Sequence, residues 1–185
     1  MKSSNRDLKK FREISVNLHM RLRKATEEDI GDLMRIFSEA RLAQRLAGFK
    51  QWEDGYPSAE ILKSDIHSSI GYILDDNGNS AGYVAISAND DEYDRHPELW
   101  DISQPYAVFH RIAISDDYRG KKLSGILFDL AESNARQSGV EFIRIDTGLE
   151  NKPMQHILAE RGYANLGYCR FVWGERLAYE KKLSK

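Results

Sequence analysis

The residues best suited to chemistry follow a predicted buried strand, where the chain turns into an amphipathic helix. The segment from Arg119 to Ser124 is rich in small residues and contains Lys121 and Lys122. The first N–H groups of a helix lack carbonyl partners, and the helix dipole attracts anions to them. We therefore predict a phosphate-binding turn that consists of Arg119, Gly120, Lys121, Lys122, Leu123 and Ser124.

The familiar nucleotide-binding motifs do not occur in the chain. It contains neither a G-x-x-x-x-G-K-S/T run nor a G-x-G-x-x-G run. Their absence argues against a nucleoside-triphosphate P-loop and against the dinucleotide-binding fingerprint.

His110 lies in the strand before this turn and is our candidate for acid–base chemistry, because an unperturbed imidazole titrates near pH ~6.5. Strand alternation predicts that it shares a face with Tyr106, Val108, Ile112 and Ile114. Tyr106 is the second candidate catalytic residue. The alternative for His110 is a packed, hydrogen-bonded core histidine.

Trp52, Tyr56 and Trp100 lie outside the predicted strands and are our candidates for the walls of an acceptor pocket. Aromatic walls with acidic neighbours suit a cationic amine. The alternative is that these rings fill the core beneath long loops. The acid-rich segment 90–101 is interpreted as a solvated surface, and the five histidines show no metal-ligand spacing, so we expect no metal.

The elements that position these residues are predicted in the order β-α-α-β-β-β-α-β-α-β-β. Thr26 and Ser58 are predicted to cap the first two helices, and Asn77-Gly78 predicts a hairpin turn. Strand–helix–strand units predict parallel pairing, and hairpins predict antiparallel pairing. We expect one domain over residues 20–185, preceded by an extension over residues 1–19 without a role in the chemistry.

The overall composition is that of an ordinary globular domain. The chain has 185 residues, of which 41% are hydrophobic and 30% charged, with a formal net charge of -2. This balance argues against disorder and against a nucleic-acid partner. No apolar run is long enough for a transmembrane helix, so we expect no membrane partner. The single cysteine, Cys169, excludes an intrachain disulfide and is typical of a cytoplasmic protein.

The segment Arg119–Ser124 resembles the Q/R-x-x-G-x-G/A signature of the GNAT superfamily of N-acetyltransferases. Lys122 and Ser124 depart from the two small residues of that pattern. Backbone donors survive these departures if Lys122 avoids a positive φ. Residues 143–147, followed by Asn151, resemble the family's fifth strand and its asparagine-led helix. The resemblance covers about residues 20–183.

The resemblance implies an α/β (α+β) fold with a mixed, mostly antiparallel twisted sheet of about seven strands and helices on both faces. Its parallel fourth and fifth strands would splay to hold acetyl-CoA. The pyrophosphate would bind at Arg119–Ser124, and the pantetheine would bind at Ile112, Ala113, Ile114 and Asn151. The implied reaction is acetyl transfer to a primary amine of a small molecule or peptide, by direct attack in a ternary complex.

One departure from the family concerns the leaving group. Many members carry a tyrosine seven residues after the asparagine, where this chain has Leu158. Another group must then protonate the thiolate, or the thiolate leaves unaided. The departure also keeps open a second function, a non-catalytic acyl-CoA-binding or interaction module. The acceptor amine and the oligomeric state stay open, with a homodimer as one option.

Overall fold

The computed structural model describes residues 19–49, 51–52 and 55–184, so the expected extension over residues 1–19 lies outside it apart from His19. The described strands are β1 (Met20–Lys24), β2 (Gly71–Asp76), β3 (Asn79–Ala88), β4 (Tyr106–Ile114), β5 (Phe142–Thr147), β6 (Ala164–Phe171) and β7 (Gly174–Lys182). The described helices are α1 (Ile30–Leu46), α2 (Ala59–His67), α3 (Asp91–Asp94), α4 (Leu123–Gln137) and α5 (Lys152–Glu160).

The seven strands form one sheet in the order β1-β2-β3-β4-β5-β7-β6. The β4/β5 pair is parallel, and the other neighbouring pairs are antiparallel. The parallel pair arises because α4 carries the chain back across the sheet between the two strands. This arrangement confirms the expected mixed, mostly antiparallel fold.

The predicted Ser58 cap and the Asn77-Gly78 turn form where the sequence predicts them, whereas Thr26 caps a 3₁₀ turn, Glu27–Asp29, that precedes α1. The Ser58 side chain accepts a hydrogen bond from the amide of Ile61 at the start of α2. Asn77 and Gly78 both have positive φ, 52° and 92°, in the turn between β2 and β3. No helix in the described part of the chain has the length and apolar character that crossing a bilayer requires.

Hydrophobic clusters cover both faces of the sheet. On one face, α4 and α5 pack against the strands, with Phe128 and Leu158 almost fully buried. On the other face, α1 and α2 pack over β2 and β3. The segment between β3 and β4 adds a third cluster, in which Tyr93, Trp100 and Tyr106 are buried. The sheet is therefore a rigid middle layer, and only its edges and gaps can open to ligands.

A β-bulge at Arg111 interrupts the alternation of β4. Tyr83 pairs with Ala113 but Ala85 pairs with His110, so β4 carries an extra residue there, and Arg111 has a φ of 52°. Ile112 and Ile114 therefore pack with Phe109 on the α4 face. The expectation that His110 shares a face with Ile112 and Ile114 is wrong, because unbroken alternation does not hold across the bulge.

Candidate active site

The site begins where β4 and β5 separate. Their parallel ladder pairs Tyr106 with Phe142, Ala107 with Ile143 and Val108 with Arg144. Beyond the last of these pairs the two strands diverge and open into a cavity of about 600 Å³. The cavity is lined from β4 by Phe109, His110, Arg111 and Ile112, and from β5 by Ile145, Asp146 and Thr147.

The last residues of β4 keep one backbone edge turned to this gap. Their other edge pairs with β3, where Ala113 lies opposite Tyr83 and Ile114 lies opposite Gly82. Backbone N–H and C=O groups of an unpaired strand edge need partners, and an extended ligand can supply them. Of the three predicted pantetheine residues on β4, Ile112 lines the cavity, Ala113 is buried and Ile114 packs into the core. These positions therefore allow the three residues to contact a ligand through their backbone groups.

The predicted phosphate-binding turn leads into α4, whose first two residues are Leu123 and Ser124. Gly120 has a φ of +77° and Lys122 has a φ of +58°. Lys122 therefore has the positive φ that the resemblance to the family signature required it to avoid. A left-handed conformation costs an L-residue about 1–2 kcal/mol. The amides of Leu123 and Ser124 still begin the helix without helical acceptors. Since the Leu123 side chain is buried, only its backbone can reach a ligand.

The charged side chains of this turn are exposed, and two of them contact the residues just before it. Arg119 forms an ion pair with Asp116. Lys121 donates to the backbone carbonyl oxygen of Asp117 at 2.8 Å. A phosphate approaching this turn would therefore meet backbone donors together with exposed cations, of which Arg119 is partly neutralised by a carboxylate.

His110 and Asp90 form a pair on the cavity wall. The distance from His110 Nε2 to Asp90 Oδ2 is 3.1 Å. Burial acts to raise the pKa of Asp90, but hydrogen bonding and charge from His110 outweigh it and hold that pKa below its usual range. An ionised carboxylate accepts only, so it selects the tautomer with the proton on Nε2. The Nδ1 lone pair of His110 is then the basic site.

Tyr106 lies beneath this pair rather than in the cavity. Its hydroxyl accepts from the amide of Asp90 at 3.0 Å and donates to Asp94 at 2.6 Å. Burial and the hydrogen bond to Asp94 raise the pKa of Tyr106 to about 12. The predicted catalytic tyrosine thus holds the turn that carries Asp90, because its hydroxyl is already engaged on the core side.

The three predicted aromatic wall residues separate into two groups. Trp52 and Tyr56 line the cavity, as expected. Trp100 is 3% exposed, donates from Nε1 to the carbonyl oxygen of Tyr93 and stacks on the Tyr93 ring. It therefore belongs to the core beneath the loop, and the wall position is taken by Trp173 from the turn between β6 and β7.

A buried ion cluster forms the α2 side of the cavity. Arg111 donates from Nε and Nη2 to the two oxygens of Asp65, both at 2.7 Å, and from Nη1 to the Tyr56 hydroxyl at 2.9 Å. The Tyr83 hydroxyl also donates to Asp65. Burial acts to lower the pKa of Arg111, but Tyr56 and Asp65 outweigh it and raise that pKa. Arg111 therefore stays a cation.

The β5 side of the cavity carries a second charged group. Asp146 accepts from the Tyr93 hydroxyl at 2.8 Å and from Trp173 Nε1 at 3.4 Å. Arg176 forms an ion pair with the same carboxylate at 3.4 Å. Each charged side chain described on the cavity wall therefore has an ion-pair or hydrogen-bond partner nearby.

Asn151 is the N-cap of α5 and lies at the edge of the cavity. Its Oδ1 accepts from the amide of Met154 at 3.1 Å, which caps the helix. Its Nδ2 donates to Gln51 Oε1 at 3.1 Å, and the amide of Gly148 donates to the same oxygen at 3.3 Å. Gln51 thus joins the segment before α2 to the end of β5.

Asp90, Arg111 and Trp173 line the cavity but are not among the residues that the sequence predicts for the site. Asp90 and Trp173 lie in a loop and a turn whose position over β4 depends on long-range packing, and Arg111 points into the site through the bulge. The clue that the sequence did offer for Asp90 was the acidic segment 90–101, which was interpreted as surface. Within the described ranges, no three His, Cys, Asp or Glu side chains are grouped so that they could hold a metal ion.

The sequence model of the acetyltransferase (GNAT) family matches residues 32–163. The chain belongs to the GNAT acetyltransferase family. It is therefore an acetyltransferase. The splayed strand pair β4/β5 and the turn into α4 lie within the matched residues.

Individual relatives agree with this assignment. A GNAT family acetyltransferase structure from Streptococcus agalactiae is 31% identical, with a TM-score of 0.75, and the match covers 90% of this chain and 96% of that one. The aminoalkylphosphonate N-acetyltransferase of Salmonella typhimurium is 22% identical over 77% of this chain and 83% of its own length. PaiA N-acetyltransferase from Thermoplasma acidophilum, solved with coenzyme A, is 16% identical, with a TM-score of 0.70 over 89% and 99% of the two chains.

Proposed function

We propose that this protein transfers the acetyl group of acetyl-CoA to the primary amine of a small molecule or peptide terminus, by direct attack in a ternary complex. The observation that carries the proposal is the divergence of β4 and β5 into a cavity that holds the His110–Asp90 pair. The open strand edge can bind the acyl donor, and the acid–base pair on the same wall can take a proton from the amine. The two reactants would therefore be held side by side.

Acetyl-CoA would bind along the open edge of β4. Its pantetheine amides would pair with the backbone of residues 112–114, and Asn151 Nδ2 would donate to it from the facing helix. Its pyrophosphate would meet the amides that begin α4, at Leu123 and Ser124. These donors fit the ligand because the strand edge and the helix start both offer backbone groups without partners inside their own element.

The chemistry requires a neutral amine. The neutral nitrogen would attack the thioester carbon, and backbone N–H groups near the bulge would stabilise the charge on the carbonyl oxygen. His110 would take the proton that the nitrogen carries in excess after the attack, and the ionised Asp90 would stabilise the resulting imidazolium. Collapse of that intermediate would break the C–S bond and release coenzyme A.

The acceptor would enter between aromatic walls. Trp52 and Trp173 line the cavity, and aromatic faces attract ammonium groups while still allowing proton loss. The ion pairs of Arg111 and Arg176 add cations at the same cavity. Since the Salmonella relative is an aminoalkylphosphonate N-acetyltransferase, amines with an anionic end belong in the first acceptor panel.

The test is an acetyl-CoA turnover screen against simple amines, polyamines, amino acids, aminoalkylphosphonates and peptide N-termini, with mass-spectrometric detection of the acetylated product. We expect at least one class to be acetylated at an amine. Trp52→Ala should raise the acceptor KM and leave the acetyl-CoA dissociation constant nearly unchanged. Tight acetyl-CoA binding without acetylation of any amine would contradict the proposal.

A further inference from the structure

We propose that Tyr56 is the proton donor to the coenzyme A thiolate as it leaves. The inference rests on the proposed function, since it assigns one more group in the same reaction. It concerns the step for which the chain lacks the family's tyrosine, because Leu158 is fully buried in the core.

The other tyrosines near the site or near Leu158 in sequence are placed where they cannot serve. The Tyr163 hydroxyl is buried and donates to Glu132 at 3.2 Å. Tyr168 is 76% exposed and does not line the cavity. Tyr106 is engaged by Asp90 and Asp94 on the core side. Tyr56 is the tyrosine of the described chain that lines the cavity.

Arg111 prepares the Tyr56 hydroxyl for this role. Nη1 of Arg111 donates to the Tyr56 oxygen at 2.9 Å, and the guanidinium is fixed on its other side by both oxygens of Asp65. Among the described residues, Arg111 is the hydrogen-bond partner of this hydroxyl. Because the oxygen accepts from Arg111, its own proton is available for a second partner in the cavity. A phenolate at this position would gain a charge-assisted hydrogen bond from the guanidinium.

The step balances without an added reagent. The thioester C–S bond breaks, and its electron pair passes to sulfur. The Tyr56 O–H bond breaks, and its proton bonds to sulfur to give the free thiol. The phenolate left on Tyr56 is stabilised by Arg111. It is reprotonated by the proton that His110 took from the amine, directly or through solvent, which restores both side chains.

The experiment compares single-turnover acetyl transfer by wild type and Tyr56→Phe with two donors, acetyl-CoA and its selenium analogue. A selenolate is a much weaker base than a thiolate and leaves without a proton. We expect Tyr56→Phe to slow transfer from acetyl-CoA by about 10²-fold, the lower end for loss of an acid. With the selenoester the loss should be under about threefold. The ratio between donors is independent of the fraction of folded enzyme.

A binding measurement supplies a readout without turnover. At a pH where the coenzyme A thiol is ionised, wild type should bind coenzyme A about tenfold more tightly than desulfo-coenzyme A, as one charged hydrogen bond allows. Tyr56→Phe should bind the two alike. Tyr168→Phe, in the exposed part of β6, is the matched control and should behave as wild type with both donors.

The alternative outcomes are distinct. Equal losses with both donors, or a rise in acceptor KM with the transfer rate unchanged, would overturn the acid role and leave Tyr56 as an acceptor-binding residue. If wild type itself acetylates no amine, the proposed function fails, and the role of Tyr56 fails with it.

Discussion

At the scale of single residues, His110 owes its special position to the carboxylate held against it. Asp90 caps the one-turn helix α3, because its Oδ1 accepts from the amide of Glu92. Its Oδ2 is thereby left to face His110. By contrast, His67 on α2 pairs with Glu27 at the exposed surface. An imidazole therefore becomes a candidate base here because its partner is fixed and partly shielded from water.

His110→Gln tests that role. We expect kcat to fall by about 10²-fold to 10⁴-fold, the usual cost of losing a general base, with little change in acetyl-CoA affinity. The variant should also lose the pH dependence that a general base gives to kcat. Steady-state rates between pH 5 and 9, with His67→Gln as control, measure both effects. A variant that keeps the wild-type pH profile would make His110 a structural residue.

At the scale of elements, the turn into α4 contains an unfavourable residue. Lys122 occupies the left-handed region, which glycine adopts without a steric penalty. Lys122→Gly should therefore increase the free energy of unfolding by about 0.5–1 kcal/mol, the relief of strain less the extra entropy of glycine. Urea unfolding followed by circular dichroism measures it. Lys121→Gly, which replaces a residue outside the positive-φ region, should bring no such gain.

Arg23 connects β1 to two carboxylates from different elements. It donates to Asp29 at 2.7 Å and to the buried Asp75 at 3.1 Å. Burial acts to raise the pKa of each carboxyl, but hydrogen bonds to arginine outweigh it and hold both pKa values below their usual range. Carboxylates with lowered pKa stabilise the fold above their unfolded pKa, near ~4, and lose that effect as the pH falls through the folded value.

Arg23→Ala should therefore cost about 2–3 kcal/mol of unfolding free energy at pH 7, because it removes the arginine partner of Asp29 and one of the two arginine partners of the buried Asp75. The difference from wild type should shrink at pH 3, where the carboxyls take up protons. Arg21→Ala is the matched control, since Arg21 pairs with the same Asp75 but is 71% exposed, and it should cost under about 1 kcal/mol. Equal costs for the two variants at pH 7 would contradict this account.

The elements were largely predictable from local signals, and the site was predictable only in part. Periodicity, caps and the Asn77-Gly78 turn are properties of neighbouring residues, and the structure follows them. The bulge at Arg111 depends on pairing with β3 about 28 residues away, so alternation alone misplaced Ile112 and Ile114. Trp52 and Trp100 looked alike in sequence, and long-range packing sent only Trp100 into the core.

At the scale of the whole molecule, the site is assembled from segments that are distant in the chain. The turn before α2 supplies Trp52 and Tyr56, the loop after β3 supplies Asp90, and the last hairpin supplies Trp173. The β4–α4 unit, by contrast, brings an open strand edge and a helix start together within one short stretch of chain. Under the proposed function, donor recognition would therefore be largely local, and acceptor recognition would depend on the complete fold.

The last prediction concerns how much of the binding free energy of acetyl-CoA comes from the part of the molecule that carries its phosphates. If backbone donors at Leu123 and Ser124 hold the pyrophosphate, acetyl-CoA should bind at least about tenfold more tightly than acetyl-pantetheine, which lacks phosphates. Calorimetry with both ligands measures the ratio, and rising salt should reduce it because charge is screened. Arg119→Ala should change the ratio little, since Arg119 is exposed and already paired with Asp116. Equal affinity for the two ligands would show that the phosphates contribute nothing and that the turn before α4 is not their site.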